Sequence, residues 1–190
     1  MRLFIAIDLD ERIRASAWEA VQPLRKEPVD VKWVEQENLH LTLKFLGEVG
    51  EAQVKEIEGK VAEVVQGHAS FPITLGGLGY YGDSHHPRSL WIGVKENEEK
   101  ILKLMADLDA ALDYVNENPR EPSAHLTIGR VRSGRNQELL LEKLRELKDV
   151  KVGEMDVKMI ALKRSVLGEK GPQYSDMKVF PLGRNNVKMA

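Results

Sequence analysis

The 190-residue chain contains no cysteine, which removes disulfides, thiolate metal sites and a cysteine nucleophile from consideration together. That composition suits a reducing, cytoplasmic setting. No strong charge of either sign is present. The formal net charge is −2 and the isoelectric point is near 6.2, so nothing draws the whole chain to a polyanion. Any nucleic-acid contact must come from a local basic patch, for which Arg130, Arg132, Arg135, Lys163 and Arg164 are candidates. Long apolar runs are missing as well. Leu3-Phe4-Ile5-Ala6-Ile7 is too short for a signal sequence or a membrane span and runs into Asp8 and Asp10, so it is expected to be a buried strand. Nowhere does HExxH, with its zinc-binding spacing, occur, nor the GxSxG elbow of a serine hydrolase.

What is present is that of a globular protein, with 42% hydrophobic and 31% charged residues. Histidine occurs five times, and two of the five sit in near-identical settings. His40-Leu41-Thr42-Leu43 returns 85 residues later as His125-Leu126-Thr127-Ile128, close to half a chain away. Both copies lie in β-prone surroundings. A strand alternates its faces with period two, so each would show its His and Thr on one side and anchor the intervening aliphatics in a core. One such pattern alone would be an ordinary strand. Its repetition at half-chain spacing points to a duplicated fold, one domain over 1–190 with two pseudo-symmetric lobes and one motif in each.

Alternating elements are predicted around the motifs. Strands are expected at Leu3 to Asp8, Val31 to Val34, Leu39 to Leu46, Phe71 to Leu78, Leu90 to Val94, about His125, Met155 to Leu167 and Tyr174 to Phe180. Helices are expected at Glu11 to Lys26, Glu51 to Val65, Glu98 to Tyr114 and Asn136 to Leu147. Loops are expected at Gly76 to Arg88, Asn116 to Pro122 and Gly168 to Pro172, with a frayed end from Gly183 to Ala190. Gly76-Gly77-Leu78-Gly79 lacks the lysine and helix of a phosphate loop and reads as a strand end or bulge. His85-His86, adjacent on a turn, read as exposed loop, and His68 as a surface residue at a helix end.

Two histidines and two threonines on facing strands suit in-line phosphoryl hydrolysis. Near neutral pH one imidazole can be a neutral base for water while the other, protonated, delivers a proton to the departing alkoxide. Two threonine hydroxyls can meanwhile donate to the non-bridging oxygens. That chemistry calls for no metal and no cofactor.

The doubled HxTx, Arg2-Leu3-Phe4-Ile5-Ala6-Ile7, Trp33-Val34 leading into Glu37 to Gly47, and Ala124 to Val131 resemble the 2H phosphoesterase superfamily, and within it the RNA 2′,3′-cyclic phosphodiesterases often called 2′-5′ RNA ligases. Leu162 to Ser165 and Gly171 to Tyr174 are similar to the closing strands of that family, so the likeness covers nearly the whole chain. One departure is Ala124, where many relatives carry proline before the second motif histidine. The resemblance implies a bilobal α+β fold, two antiparallel sheets flanking a central cleft with helices packed outside. It implies cofactor-free hydrolysis of an RNA terminal 2′,3′-cyclic phosphate to a 2′-phosphomonoester. Beside it stands the expectation of a monomeric, cytoplasmic protein without membrane attachment. His40 would be the general acid and His125 the general base, with Thr42 and Thr127 on the phosphate oxygens. Arg130 is a further phosphate candidate provided twist or a bulge re-aims it, because a regular strand points it away from Thr127. Phe45, by its alternation with Leu41 and Leu43, is expected in the core, and Tyr80, Tyr81 and Arg88 in a loop at the cleft mouth. Two alternatives stand beside hydrolysis: a reversible 2′-5′ RNA ligase and a non-catalytic RNA-end binding module.

Overall fold

The apolar periodicities become nine strands and four α-helices in the computed structural model, which describes residues 1–115, 122–169 and 171–183. In chain order these are β1 (Arg2–Asp8), α1 (Glu11–Arg25), β2 (Val31–Trp33), β3 (His40–Glu48), α2 (Glu51–Gln66), β4 (Phe71–Gly82), β5 (Pro87–Glu96), α3 (Glu98–Ala111), β6 (His125–Val131), α4 (Gln137–Glu146), β7 (Lys151–Val157), β8 (Met159–Gly168) and β9 (Gly171–Pro181). Each helix starts within a residue of its expected position. α1 begins where the Asp10 carboxylate accepts the Ile13 N–H at 2.7 Å, satisfying one of the orphan donors of the first turn. Its Ile13, Ala17, Val21 and Leu24 are buried, as are Ile57, Val61 and Val65 of α2, Ile101, Leu104 and Leu108 of α3, and Leu140 and Leu144 of α4. These stripes meet Leu3, Ile5, Ile7, Leu41, Leu43, Leu126 and Ile128 in one continuous core. At roughly 1.5–3 kcal/mol for each large side chain, that core fixes which face of the sheet lies under the helices.

The fold is α+β, and every pairing between the named strands is antiparallel. Two sheets were expected, but the strands form one sheet in the order β7-β4-β5-β6-β3-β1-β8-β9, with β2 beside β6. The join is narrow. A single residue pair, Leu41 with Leu126, links the half carrying β6 to the half carrying β3. These are the residues between His and Thr in the two motifs, and burying both under the helices brings the strands together at that point. The sheet is also curled. Only Lys158 separates β7, at one edge, from β8, next to the other, so the two ends of the sheet must approach one another.

Two further expectations need correction. The supposed loop from Gly76 to Arg88 is mostly strand: β4 runs to Gly82 and pairs with β5 through Gly79–Trp91, Tyr80–Leu90 and Tyr81–Ser89. The glycines there accommodate a bulge at Gly77, whose φ is +72°, and the ladder resumes beyond it. The long strand expected from Met155 to Leu167 is two strands, β7 against β4 and β8 against β1. Most of the expected Asn116 to Pro122 loop and of the frayed end from Gly183 lies outside the described residues.

Candidate active site

Alternation does for both motifs what their sequences predict. Leu41, Leu43, Leu126 and Ile128 are buried against the helices, while His40, Thr42, His125 and Thr127 are half-buried on the opposite, uncovered face. Continuing the antiparallel register outward from Leu41–Leu126 sets His40 alongside Thr127 and Thr42 alongside His125. The two motifs therefore share one patch of the sheet.

The two imidazoles are held in the same way. Nδ1–H of His40 donates to the carbonyl of Asn38 at 2.8 Å, and Nδ1–H of His125 donates to the carbonyl of Ser123 at 2.9 Å, in each case two residues upstream. A carbonyl only accepts, so Nδ1 carries the proton in both neutral rings and Nε2 is left to react. At His40, Nε2 lies 3.0 Å from the Thr42 hydroxyl, which donates to it. Burial holds both pKa values below the ordinary 6.5 by disfavouring the cation. The carbonyls work against that shift, and the positive charges of Lys163 near His40 and Arg130 near His125 add to it.

Each motif is followed by a bulge. On β3 the register with β1 skips a residue between Thr42 and Lys44, so Leu43 and Lys44 both point inward and Phe45 comes out on the His40 face. Lys44 is neutralised by Asp109 of α3. On β6 the register with β5 skips between Thr127 and Gly129, so Ile128 and Gly129 are both buried and Arg130 comes out on the His125 face. Phe45 is thus not core but 42% exposed, 6.2 Å from the Phe4 ring, because one extra residue reverses the alternation. Arg130 is re-aimed by the equivalent device. Its charge reaches both His125, where it adds to the lowering that burial causes, and Tyr174, where it partly offsets the rise that burial imposes.

Several neighbours went unnoticed in the sequence. The Phe4 ring lies 5.0 Å from His40, over the space left by Ala6, and Tyr174 stands edge-on to both rings at 5.3 Å and 5.0 Å. Lys163, a basic-patch candidate by sequence, is instead 8% exposed and bonds Asp8 at 2.8 and 2.9 Å and Asp176. Burial lowers its pKa, but the two carboxylates outweigh that and raise it. The signal for Phe4 and Asp8 was the alternation of Arg2, Phe4, Ala6 and Asp8 against Leu3, Ile5 and Ile7. Tyr174 and Lys163 depend on the closing hairpin, which alternation alone does not place. On the second half, Tyr81 stands on β4, its ring edge-on to His125 at 4.9 Å.

The remaining histidines lie apart. His85 and His86 are exposed beside Asp83, and His68 is not a surface residue but buried, bonded to Asp107 at 2.8 Å. Among the described residues no three His, Asp or Glu side chains gather as a metal site would require, and no helix is long and apolar enough to cross a membrane.

The profile of the 2′-5′ RNA ligase superfamily matches residues 13–166. The chain is 41% identical over 183 residues to the RNA 2′,3′-cyclic phosphodiesterase of Methanothermobacter thermautotrophicus, covering 96% of this chain and 99% of that protein. It is 40% identical to the enzyme of the same name from Archaeoglobus fulgidus, over 95% and 99% of the two chains. Its fold resembles that of TT0787 of Thermus thermophilus with a TM-score of 0.75 and 29% identity, over 97% and 100% of the chains. It also resembles Escherichia coli LigT crystallised with 3′-AMP, with a TM-score of 0.78 and 22% identity over 95% and 97%.

Proposed function

The chain belongs to the 2′-5′ RNA ligase superfamily, and we propose that it hydrolyses RNA terminal 2′,3′-cyclic phosphates to 2′-phosphomonoesters by acid–base chemistry at His40 and His125. Relatives at 35–41% identity over most of the chain carry the name RNA 2′,3′-cyclic phosphodiesterase, a hydrolase activity. The observation that carries the mechanism is the doubled Nδ1–H to carbonyl bond, which leaves two Nε2 atoms on one face of the sheet. We read the two halves of the sheet, each with one motif strand at the centre, as pseudo-symmetric lobes of a single domain.

In this reaction Nε2 of His125 takes a proton from water as its oxygen attacks phosphorus. The bond from phosphorus to O3′ breaks, and the protonated Nε2 of His40 delivers a proton to that oxygen. A free 3′-hydroxyl and a 2′-phosphate result. We base the division of labour on the rings' neighbours: His40 lies among apolar rings, which disfavour its cation and make it the better acid, whereas His125 is bordered by hydroxyls that can support the cation a base becomes. Burial disfavours the cation of both rings in the free protein, and a bound phosphate anion favours protonation of His40. The Thr42 hydroxyl, released from Nε2 once that nitrogen holds a proton, donates to a phosphoryl oxygen, as Thr127 does from the other strand. Arg130 offers its guanidinium fork to the same group.

A nucleoside 2′,3′-cyclic phosphate incubated with the protein in EDTA tests the reading. Ring opening to the 2′-monophosphate is expected to persist after exhaustive chelation. Activity that vanishes and returns with zinc or manganese would sink the two-histidine mechanism.

A further inference from the structure

Tyr81 stands two strands away from His125, a separation of about 10 Å between backbones, and reaches it only because its ring leans along the sheet. The strand between them supplies the support. Trp91, cross-strand from both Thr127 and Gly79, lies 5.7 Å from the Tyr81 ring. The indole itself rests flat on backbone. A Cβ on Gly79 would come within 2.4 Å of the indole carbons, and one on Gly93 within 3.2 Å. Two glycines therefore seat a tryptophan, which props a tyrosine against the second motif histidine.

The phenol oxygen of Tyr81 bonds the Ser123 hydroxyl and lies 3.3 Å from Nδ1 of His125. The Ser123 carbonyl already accepts the Nδ1 proton at 2.9 Å. With the phenol proton on Ser123 Oγ, a phenol lone pair faces the same N–H, which then has two acceptors. Nδ1 of His40 is bonded to the Asn38 carbonyl, and its tyrosine neighbour, Tyr174, meets the ring edge-on.

We propose that Tyr81, carried by Trp91 and oriented by Ser123, is a positioning residue that locks His125 in its Nδ1–H tautomer and stabilises the imidazolium formed when Nε2 takes a proton. The proposal rests on the two-histidine reading above, because it gives His125 the work of the base. Removing the phenol oxygen withdraws one acceptor from the cation without disturbing the ring's contact with Trp91.

The test is a ring-nitrogen NMR titration of His125 in the parent protein, in Tyr81→Phe and in Tyr80→Phe, alongside the pH dependence of kcat and KM. Tyr81→Phe is expected to lower the His125 pKa by roughly a third of a unit to one unit, the size of one net hydrogen bond. It should also admit the Nε2–H tautomer, with kcat falling about 3- to 10-fold and KM unchanged. Tyr80, which packs against the core, should leave the titration alone when cut to Phe. An unchanged His125 titration in folded Tyr81→Phe overturns the proposal, as does an equal shift in Tyr80→Phe. If the parent opened no cyclic phosphate, the hydrolase reading would fall, while the titration would still decide the bond between Tyr81 and His125.

Discussion

The two motif histidines share a backbone device and differ in nearly everything around it. His40 is enclosed by Phe4 and Tyr174 and backed by Lys163 between Asp8 and Asp176. His125 is bordered by Tyr81, Ser123 and Arg130. Opposite Thr42 stands Ala6, leaving room for rings above it, whereas opposite Thr127 stands Trp91, which fills that room. The difference teaches that symmetry supplies two equivalent nitrogens and the neighbouring strands make them unequal. The proposed reaction needs an acid and a base at the same moment, and unequal surroundings are what would assign each role to a particular ring.

Removing either histidine should produce the largest effect. His40→Ala and His125→Ala are each expected to lose on the order of 10²–10⁴-fold in single-turnover hydrolysis, with circular dichroism unchanged. The double variant should lose far less than the product, since the pair acts as a unit. A folded His125→Ala protein at near-parental rate would make the second motif structural and end the comparison. His85→Ala and His86→Ala, exposed beside Asp83 in the turn between β4 and β5, serve as controls and should stay within a few-fold of the parent.

Smaller losses should follow at the proposed phosphate ligands. On that reading Thr42→Ala, Thr127→Ala and Arg130→Ala each remove a hydrogen bond to a charged oxygen, worth roughly 1.5–3 kcal/mol or about 10- to 100-fold. The sharper comparison is between Arg130 and Phe45, which emerge from equivalent bulges. Arg130→Ala should show its loss in kcat/KM and leave a weaker dependence on salt, and an unaltered salt response would remove Arg130 from the phosphate site.

The least disruptive test is pH. Burial holds both imidazole pKa values below 6.5, so the acid loses its proton as pH climbs past its lowered value and the base gains one as pH falls past its own. The cyclic phosphodiester keeps one negative charge throughout, so both limbs belong to the protein. The bell of kcat/KM is therefore expected on the acid side of 6.5. An optimum well above neutrality would mean that charges outside the described environment dominate burial.

Much of this was legible from periodicity. The four helices, the faces of both motif strands and the sharing of His with Thr follow from spacing alone, and Arg130 was readable as a ligand conditional on a bulge. Phe45 was misplaced because a bulge changes no residue's chemistry and leaves only a doubled pair of inward residues, Leu43-Lys44, of which one is a lysine whose partner lies on a distant helix. Tyr81 was expected at the cleft mouth but in a loop, because the glycines from Gly76 to Gly82 read as a turn and belong instead to a bulged strand. The joining of two halves into one sheet was beyond alternation, since it depends on one long-range pair, Leu41 with Leu126.

The bulges also set the terms on which these strands can change over generations. A substitution at position 45 or 130 alters the uncovered face of the sheet while the core beneath stays intact, so equivalent places can hold an aromatic on one strand and a cation on the other. Loss of one codon within Leu43-Lys44 or Ile128-Gly129 would be another matter, because every side chain beyond it would exchange faces together. At Gly129 even substitution is resisted, since a Cβ would come within 2.7 Å of the Val31 side chain and 3.1 Å of the Trp33 ring, so side chains of β2 would have to shift. Variation in this chain is thus channelled: residues at the mouth of each bulge can be exchanged, and the count of residues leading to it cannot.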